Sequence, residues 1–542
     1  MKYSLNFFFN RTGKASCGLI LLAASLLLPK AQAVNVLVQH NDLARTGTDT
    51  SETILTPANV NSTNFGKLFT DSVDAQVYAQ PLYVENLSLS GGTHNVVFVC
   101  TESNSVYAFD ADTGGPAYWH VKLGTPYSPP TCGDLTPVVG ITGTPVIDLS
   151  SGTLYVDTKL QSGPAHQLHA LDITTGNEKF GGPVTIATNN VFNAALEHQR
   201  PGLVLLNGLA YLAFGSHCDQ GSYHGFVLSF NATNLSQVST FNVTATGSEG
   251  AVWSGGMAPA ADASGNLYIM TGNGTFDGSA NFGESLVKLN GNLSVQDYAT
   301  PTNWASLNSG DTDLGSGGLV LLPTHYAAGM GKDGKMYLAD TTNMGHVGNF
   351  VQVFQAQSQG DTVGKSPVYW QGPDRQYVFA LHSNSRTKSF EFTGTNINTT
   401  PLGTASFSQS DRCGGLSLSA NGTNNGILWE IGSDSNLRAY DAVNFPTLLW
   451  SGSVGTYVKM TCPTIANGKV YVGTSSNLGV WGLTNYLYSQ ITVPNPVLNW
   501  VSGTLLESTN LTGPWVTNSA DSPYAVVPTN SQMFYQLLLD SH

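Results

Sequence analysis

Short apolar runs of four to eight residues recur along most of the chain. They are rich in Val, Ile, Leu, Tyr and Phe, and they are separated by Asn-Gly, Asp-Gly and Ser-Gly turns. This texture predicts strands joined by tight hairpins, with no long amphipathic helix. The runs also repeat. Thr144-Pro145-Val-Ile-Asp148-Leu-Ser-Ser-Gly152-Thr-Leu-Tyr155-Val156 is matched by Ala258-Pro259-Ala-Ala-Asp262-Ala-Ser-Gly265-Asn-Leu-Tyr268-Ile269. A shorter form is Cys462-Pro463-Thr-Ile-Ala-Asn-Gly468-Lys-Val-Tyr471-Val472. Each reads as strand, turn, strand.

Spacing sets the number of units. Prolines 81, 145, 201 and 259 are 64, 56 and 58 residues apart, and the next gaps, to 367 and 463, are 108 and 96. Each of the two long gaps holds a Gly-Gly-Leu where a further unit should begin, at Gly317-Gly318-Leu319 and Gly414-Gly415-Leu416. The pattern therefore predicts an all-β fold of eight four-stranded antiparallel blades around a channel, with seven blades as the alternative. Proline has no N–H for a ladder, so its place at each unit's start marks the first residue of an innermost edge strand.

The second half of each unit carries a further signature. Val106-Tyr-Ala108-Phe-Asp110-Ala-Asp-Thr113-Gly114 leads to Trp119, and Leu168-His-Ala170-Leu-Asp172-Ile-Thr-Thr175-Gly176 leads to Phe180. Arg438-Ala439-Tyr-Asp441 leads to Trp450, and Val227-Leu-Ser-Phe-Asn231 is a weaker copy. This AxDxxTGxxxW pattern resembles the tryptophan-docking repeat of pyrroloquinoline-quinone-type (PQQ-type) propellers. In that pattern Asp-x-x-Thr-Gly closes a hairpin and the aromatic packs on the neighbouring blade. The last unit stops at Val480-Trp-Gly-Leu483 without an outer strand, and the run Val34–Gln39 is expected to supply it.

The ends differ from the repeats. Lys2, Arg11 and Lys14 precede the apolar run Cys17–Leu28, and Ala31-Gln32-Ala33 has the form of a signal-peptidase site. Residues 1–33 thus read as a signal peptide cleaved near Ala33, with export to the periplasm or beyond. A run of twelve is too short to span a bilayer, which takes about 20 residues. Residues 34–486 form the expected propeller, 487–496 with Pro494 and Pro496 a linker, and 497–542 a small β module. That module resembles small C-terminal β modules of secreted bacterial proteins. At this size it is expected to need a surface to dock on.

Composition narrows the function. The 542 residues carry 21 Lys+Arg against 35 Asp+Glu, and removal of the leader takes away four basic residues and no acidic one. Such an acidic chain lacks the basic face that nucleic acid requires. Cys100, Cys132, Cys218, Cys413 and Cys462 are five in number, so at most two disulfides form within one mature chain. No CxxC, CxxCH, P-loop, HExxH or GxSxG occurs. Gly329-Met-Gly331-Lys-Asp-Gly334 fits GxGxxG, but a strand is predicted after it where a dinucleotide site needs a helix.

Candidate chemistry is sparse. Arg200, Lys365, Arg412 and Lys459 lie within a few residues of predicted innermost strand starts, where their charges would converge on a channel mouth and attract an anion. The plainer alternative is four independent loop residues. Asp311 and Asp313, ahead of a Gly-rich loop, are weak metal candidates, since a hard cation takes six or more oxygens. His217-Cys218-Asp219 with His224 raises a transition-metal site without a second ligand pair. Glu197-His198 beside Arg200 is an acid–base grouping, although neighbouring strand residues face opposite ways. The family resemblance implies PQQ and calcium, with Trp253 or Trp370 as a floor under the quinone, yet packing between blades is the alternative for both. No adjacent Cys pair is present, and no stretch matches the family's metal and base residues one by one.

The reading that follows is an exported binding or scaffold propeller acting through its channel mouth on a small anion, a surface polymer or a protein. A PQQ- and calcium-dependent dehydrogenase of alcohols or sugars is the alternative. A polysaccharide hydrolase or lyase is the third.

Overall fold

A computed structural model describes residues 4–8, 34–129, 133–187, 191–360, 367–410, 412–484, 488–491, 496–500, 504–510, 513–526 and 532–538. The chain divides into two units, one of residues 34–58 and 69–480, the other of 1–33, 59–68 and 481–542.

The larger unit is a β-propeller of antiparallel sheets. Among the described residues there are eight such sheets, five of four strands and three of five, in chain order or nearly so. The first runs Leu82–Leu89, Gly92–Cys100, Ser105–Asp110 and Trp119–Lys122, and the second Val146–Asp148, Thr153–Leu160, Ala165–Asp172 and Val184–Thr185. The third is built on Leu209–Ser216, whose one edge takes both Glu197–His198 and Val204–Leu206. The fourth to seventh open at Ala260–Ala261, Leu319–Leu322, Val368–Gln371 and Leu416–Asn421. In the eighth, Thr464–Ala466, Lys469–Gly473 and Asn477–Leu483 are completed by Phe65–Ser72. The GxGxxG stretch is the turn between strands Tyr326–Met330 and Lys335–Asp340, so no dinucleotide geometry arises there.

The hairpin signature works as local chemistry predicts. Asp110 Oδ1 accepts the Asp112 and Thr113 N–H groups at 2.8 Å, and Asp172 Oδ1 accepts those of Thr174 and Thr175 at 2.9 and 3.1 Å. Gly176 follows at φ +73°, and the ring of Trp119, an outer-strand residue of the first sheet, lies against it. Trp119 Nε1 donates to Ile173 O at 3.0 Å. The aromatic of one blade thus seats on the glycine of the next. Phe69 takes the same place against Gly114, which is why Phe65–Ser72 serves as the outer strand of the eighth sheet.

Val34–Gln39 is not that outer strand. The segment from Val34 to Leu55 instead runs along the innermost strands of successive sheets. Val36 exchanges both backbone bonds with Tyr83, and Leu37 O accepts from Ile147. Leu43 O accepts from Ala261, Ala44 O from Leu321, Thr46 O from Tyr369 and Gly47 O from Leu418. Glu52 donates its N–H to Ala420 O, and its Oε2 accepts from Gly468 N at 2.8 Å. Val38 packs on the core shared by the second and third sheets. These contacts satisfy inner-strand N–H groups that a bare channel edge would leave open. The physical reason for the correction is that this segment carries backbone partners for many sheets, whereas an outer strand serves one.

Arg45 anchors the strap. It is fully buried, its Nε donates to Pro259 O at 2.9 Å, and its Nη1 donates to Gln39 O at 2.7 Å and Asp42 O at 3.0 Å. Burial lowers its guanidinium to about 10, against the pull of Asp42.

The smaller unit, taken by itself, has two sheets. Tyr488–Ile491 pairs with Pro496–Asn499, which pairs with Tyr524–Ala525. Gln532–Leu538 pairs with Thr504–Ser508 on one side and Ser4–Phe8 on the other. Leu498, Trp500, Leu505, Met533, Tyr535 and Leu537 form its core. The segment 487–496, expected as a linker, therefore includes a strand, with Pro496 at the first position of its partner where no N–H is needed. Of the expected leader, residues 9–33 lie outside the described residues.

Two substitutions test this reading. Gly176→Ala places a Cβ 2.7 Å from Trp119 Cε3 at a positive φ and should cost about 2 kcal/mol or more in urea unfolding. Arg45→Ala removes three charged hydrogen bonds at once and should cost about 3 kcal/mol or more by the same measurement.

Candidate functional site

Three of the four predicted cations meet. Arg200 lies before the inner strand of the third sheet, Arg412 before that of the seventh and Lys459 before that of the eighth. All three turn toward Asp134, a residue of the loop joining the first two sheets. Arg200 Nη2 and Lys459 Nζ both bond the Asp134 carboxylate, and Arg412 Nη1 stands 3.9 Å from it. Lys365 lies outside the described residues. The side chains of Arg200 and Lys459 are 8% and 9% exposed and that of Arg412 is 49% exposed.

The charges set each other. Burial would raise the Asp134 carboxyl, but Arg200 and Lys459 outweigh it and hold it well below the carboxylate range. Burial and the Arg200 charge bring the Lys459 ammonium down to about 8, with Asp134 opposing. Glu102 lies nearby, fully buried, accepting from Gly140 N at 2.6 Å and Thr142 Oγ1 at 2.8 Å. Burial raises its carboxyl to about 7, while those donors and the two cations work the other way.

A second layer adjoins this one. His198 Nε2 is 3.0 Å from Thr142 Oγ1, and its ring stacks on His217 with centroids 4.5 Å apart. Lys159 Nζ donates to Glu197 O at 2.7 Å and to His217 Nε2 at 2.5 Å, beneath the Tyr127 ring. Burial lowers that ammonium to about 7. His166 Nδ1 meets Asp157 at 2.6 Å in the same interior. Glu197 and His198 do face opposite ways. The Glu197 carboxylate takes the N–H groups of Asn193 at 2.8 Å and His224 at 3.4 Å. They are therefore not an acid–base pair on one substrate.

The metal candidates have other partners. Asp311 and Asp313 hold the Lys332 ammonium, at 2.8 and 2.6 Å, in the place a cation would take. His217 faces Lys159, Asp219 accepts from Tyr223 Oη at 2.7 Å, and His224 Nδ1 lies 3.0 Å from Thr244 Oγ1. Cys218 is disulfide-bonded, whereas Cys100, Cys413 and Cys462 are buried thiols and Cys132 lies outside the described residues. Among the described residues no three His, Cys, Asp or Glu side chains are grouped to hold a metal ion.

The quinone floor fares similarly. Trp370 donates from Nε1 to Gly422 O at 3.0 Å and packs on Gly426, so it docks one blade on the next. Trp253 is 8% exposed, with the Arg200 guanidinium 5.2 Å from its ring centroid and Gly215 and Gly272 packed against it. Neither tryptophan offers a free face to a planar cofactor, so these candidate residues do not fit a quinone with its metal, and no redox step follows from them.

Sequence reasoning missed Asp134, Glu102 and Lys159. Asp134 sits in a loop without a motif. The one available signal was the length of that loop, since the stretch between strands Trp119–Lys122 and Val146–Asp148 is longer than those that join the other sheets.

No protein-family model and no curated protein sequence matches the chain. Its backbone, however, resembles solved structures. A quinohemoprotein alcohol dehydrogenase from Pseudomonas putida HK5 superposes with a TM-score of 0.61 at 14% identity, over 85% of this chain and 82% of that one. A europium-containing methanol dehydrogenase gives 0.60 at 13% identity, over 83% and 98%. BamB from Moraxella catarrhalis gives 0.50 at 14% identity, over 77% and 99%. At such identities the likeness shows the fold, a quinoprotein-like β-propeller. Among the described residues no helix is long and apolar enough to cross a membrane.

The buried Glu102 predicts a pH dependence. Its folded value near 7 exceeds the ordinary 4.5, so its contribution to stability is complete below about pH 4.5 and lost as pH rises toward 7. Glu102→Gln should flatten the unfolding free energy across that window, removing a slope of up to about 1.4 kcal/mol per pH unit, as urea titrations at pH 5 and 7.5 would read.

Proposed function

We propose that this chain is an exported binding propeller whose basic mouth accepts an anionic ligand. One observation carries the reading. Cations from the third, seventh and eighth sheets, far apart in sequence, are turned onto a single carboxylate position beside the innermost strands. Arg200 is buried over Trp253 and Lys459 is nearly as buried. Placing buried cations around one point is costly unless negative charge is held there, and such an arrangement recognises an anion by charge and hydrogen bonding.

The dehydrogenase reading is favoured by the backbone likeness alone. It would need an open aromatic face and oxygen ligands for a metal, and Trp253, Asp311 and Asp313 are engaged otherwise. A polysaccharide hydrolase needs two carboxylates flanking a cleft. Here Glu102 is tied to a backbone and a hydroxyl donor and Glu197 to two backbone donors, which favours binding over cleavage.

The test compares wild type with Arg200→Gln/Lys459→Gln by calorimetric titration with citrate and sulfate. We expect at least a tenfold loss of affinity in the double variant, and weaker binding to wild type above about pH 8, where Lys459 discharges. A parallel titration with PQQ and calcium should leave the melting temperature unchanged and support no dye reduction with alcohols or sugars. A saturable rise accompanied by dye reduction would overturn the proposal in favour of the dehydrogenase.

A further inference from the structure

Resting on that reading, we propose that Asp134 is a built-in competitor for the mouth, and that the ligand is a small carboxylate that takes its place. The argument begins with what holds Asp134. Among the described residues every partner of its carboxylate is a cation: Arg200, Lys459 and, at 3.9 Å, Arg412. A carboxylate bound structurally within a turn in this protein accepts backbone N–H groups, as Asp110 and Asp172 do. Asp134 therefore occupies its position by charge, and any other carboxylate could satisfy the same cations.

Its fit is also incomplete. Asp134 reaches only Nη2 of Arg200, and Arg200 Nε, buried with the rest of that side chain, has no hydrogen-bond partner among the described residues. An unpaired buried donor on a charged group carries a substantial desolvation cost. A carboxylate arriving side-on would bond Nε and Nη2 together, the two-pronged geometry that guanidinium groups favour, and would remove that cost. Phosphate and sulfate could also pair with these cations. The planar two-oxygen match to Nε and Nη2, at a position already shaped to a carboxylate, favours a carboxylate. Asp134 is 28% exposed and follows Gly133 in its loop, so its side chain has solvent to turn into. The Arg200 guanidinium lies over the Trp253 ring, 5.2 Å from its centroid, a cation–π contact that helps hold it in place.

The geometry thus describes a site that is closed by its own anion at rest and opened by exchange of one carboxylate for another. Ligand affinity in the wild type is lowered by the strength of the internal pairing. Removing the internal competitor should raise it. Sources of the incoming group differ in what surrounds it: a short dicarboxylate brings a second charge for Arg412, and a sugar acid brings hydroxyl groups.

The experiment uses the full chain as wild type, Asp134→Ala, Asp134→Asn and Asp134→Ala/Arg200→Gln, with acetate, succinate and galacturonate as probes and chloride as the control salt. In chloride the two single variants should melt below wild type, and acetate should restore them saturably while leaving wild type unmoved. Calorimetry should show succinate or galacturonate binding at least tenfold more tightly to Asp134→Asn than to wild type. Arg200→Gln should abolish the gain, and the tighter probe names the source. The proposal falls if acetate shifts wild type and variants alike, or if the single variants bind no more tightly than wild type. If wild type binds citrate or sulfate through Arg200 and Lys459 yet the Asp134 variants gain nothing, the competitor role alone fails. If neither wild type nor variants bind any anion, the binding reading fails with it. Should Asp134→Ala not fold, Asp134→Asn, which keeps the shape and drops the charge, carries the same comparison.

Discussion

A ring of separate sheets has one problem in common: every innermost strand has an unpaired edge. The structure answers it with a single stretch of chain. Between Val34 and Leu55 the backbone passes from sheet to sheet, accepting from Ile147, Ala261, Leu321, Tyr369 and Leu418 in turn. Arg45, fully buried, ties that stretch to itself and to Pro259. The edge bonds of the sheets, the closure of the inner strands and the positions of the residues that precede them all depend on this strap. Its own turns are tight, as the fit of Gly47 against the His40 ring shows.

The candidate site follows from the same constraint. Arg200, Arg412 and Lys459 each lie just ahead of an inner strand, so whatever fixes those strands fixes where the three charges point. Docking between blades does the rest. Trp119 on Gly176 and Phe69 on Gly114 hold neighbouring sheets at one spacing, and side chains from non-adjacent sheets then reach a common point. Burial makes the point consequential: it drives Glu102 up and Lys459 down, while the cations that Asp134 faces hold its carboxyl low.

The backbone shared with quinoprotein dehydrogenases is a solution to packing, and chemistry is added to it by particular side chains. Here the side chains that the sequence suggested for a quinone floor and a metal have other partners. Trp253 lies under Arg200, and Lys332 lies between Asp311 and Asp313. What this propeller brings together instead is Arg200, Arg412 and Lys459 around Asp134.

What the sequence determined by itself is local. Strand runs, the Asp-x-x-Thr-Gly hairpins, prolines at unit starts and the aromatic that ends each repeat depend on contacts a few residues long, so Asp110, Asp172, Pro145 and Trp119 were legible as soon as the repeat was seen. The cations at strand starts were legible for the same reason, as positions in a register. Tertiary structure decided what they meet. Asp134 is 66 residues from Arg200 and 325 from Lys459, and it lies in a loop that follows no repeat. The strap, the choice of Phe65–Ser72 over Val34–Gln39 as the outer strand, and the capture of Lys332 by Asp311 and Asp313 are likewise contacts between distant segments. Periodicity constrains neighbours along the chain. Which distant charges share a buried space is settled only when the sheets pack and the cost of burying each charge must be offset by another.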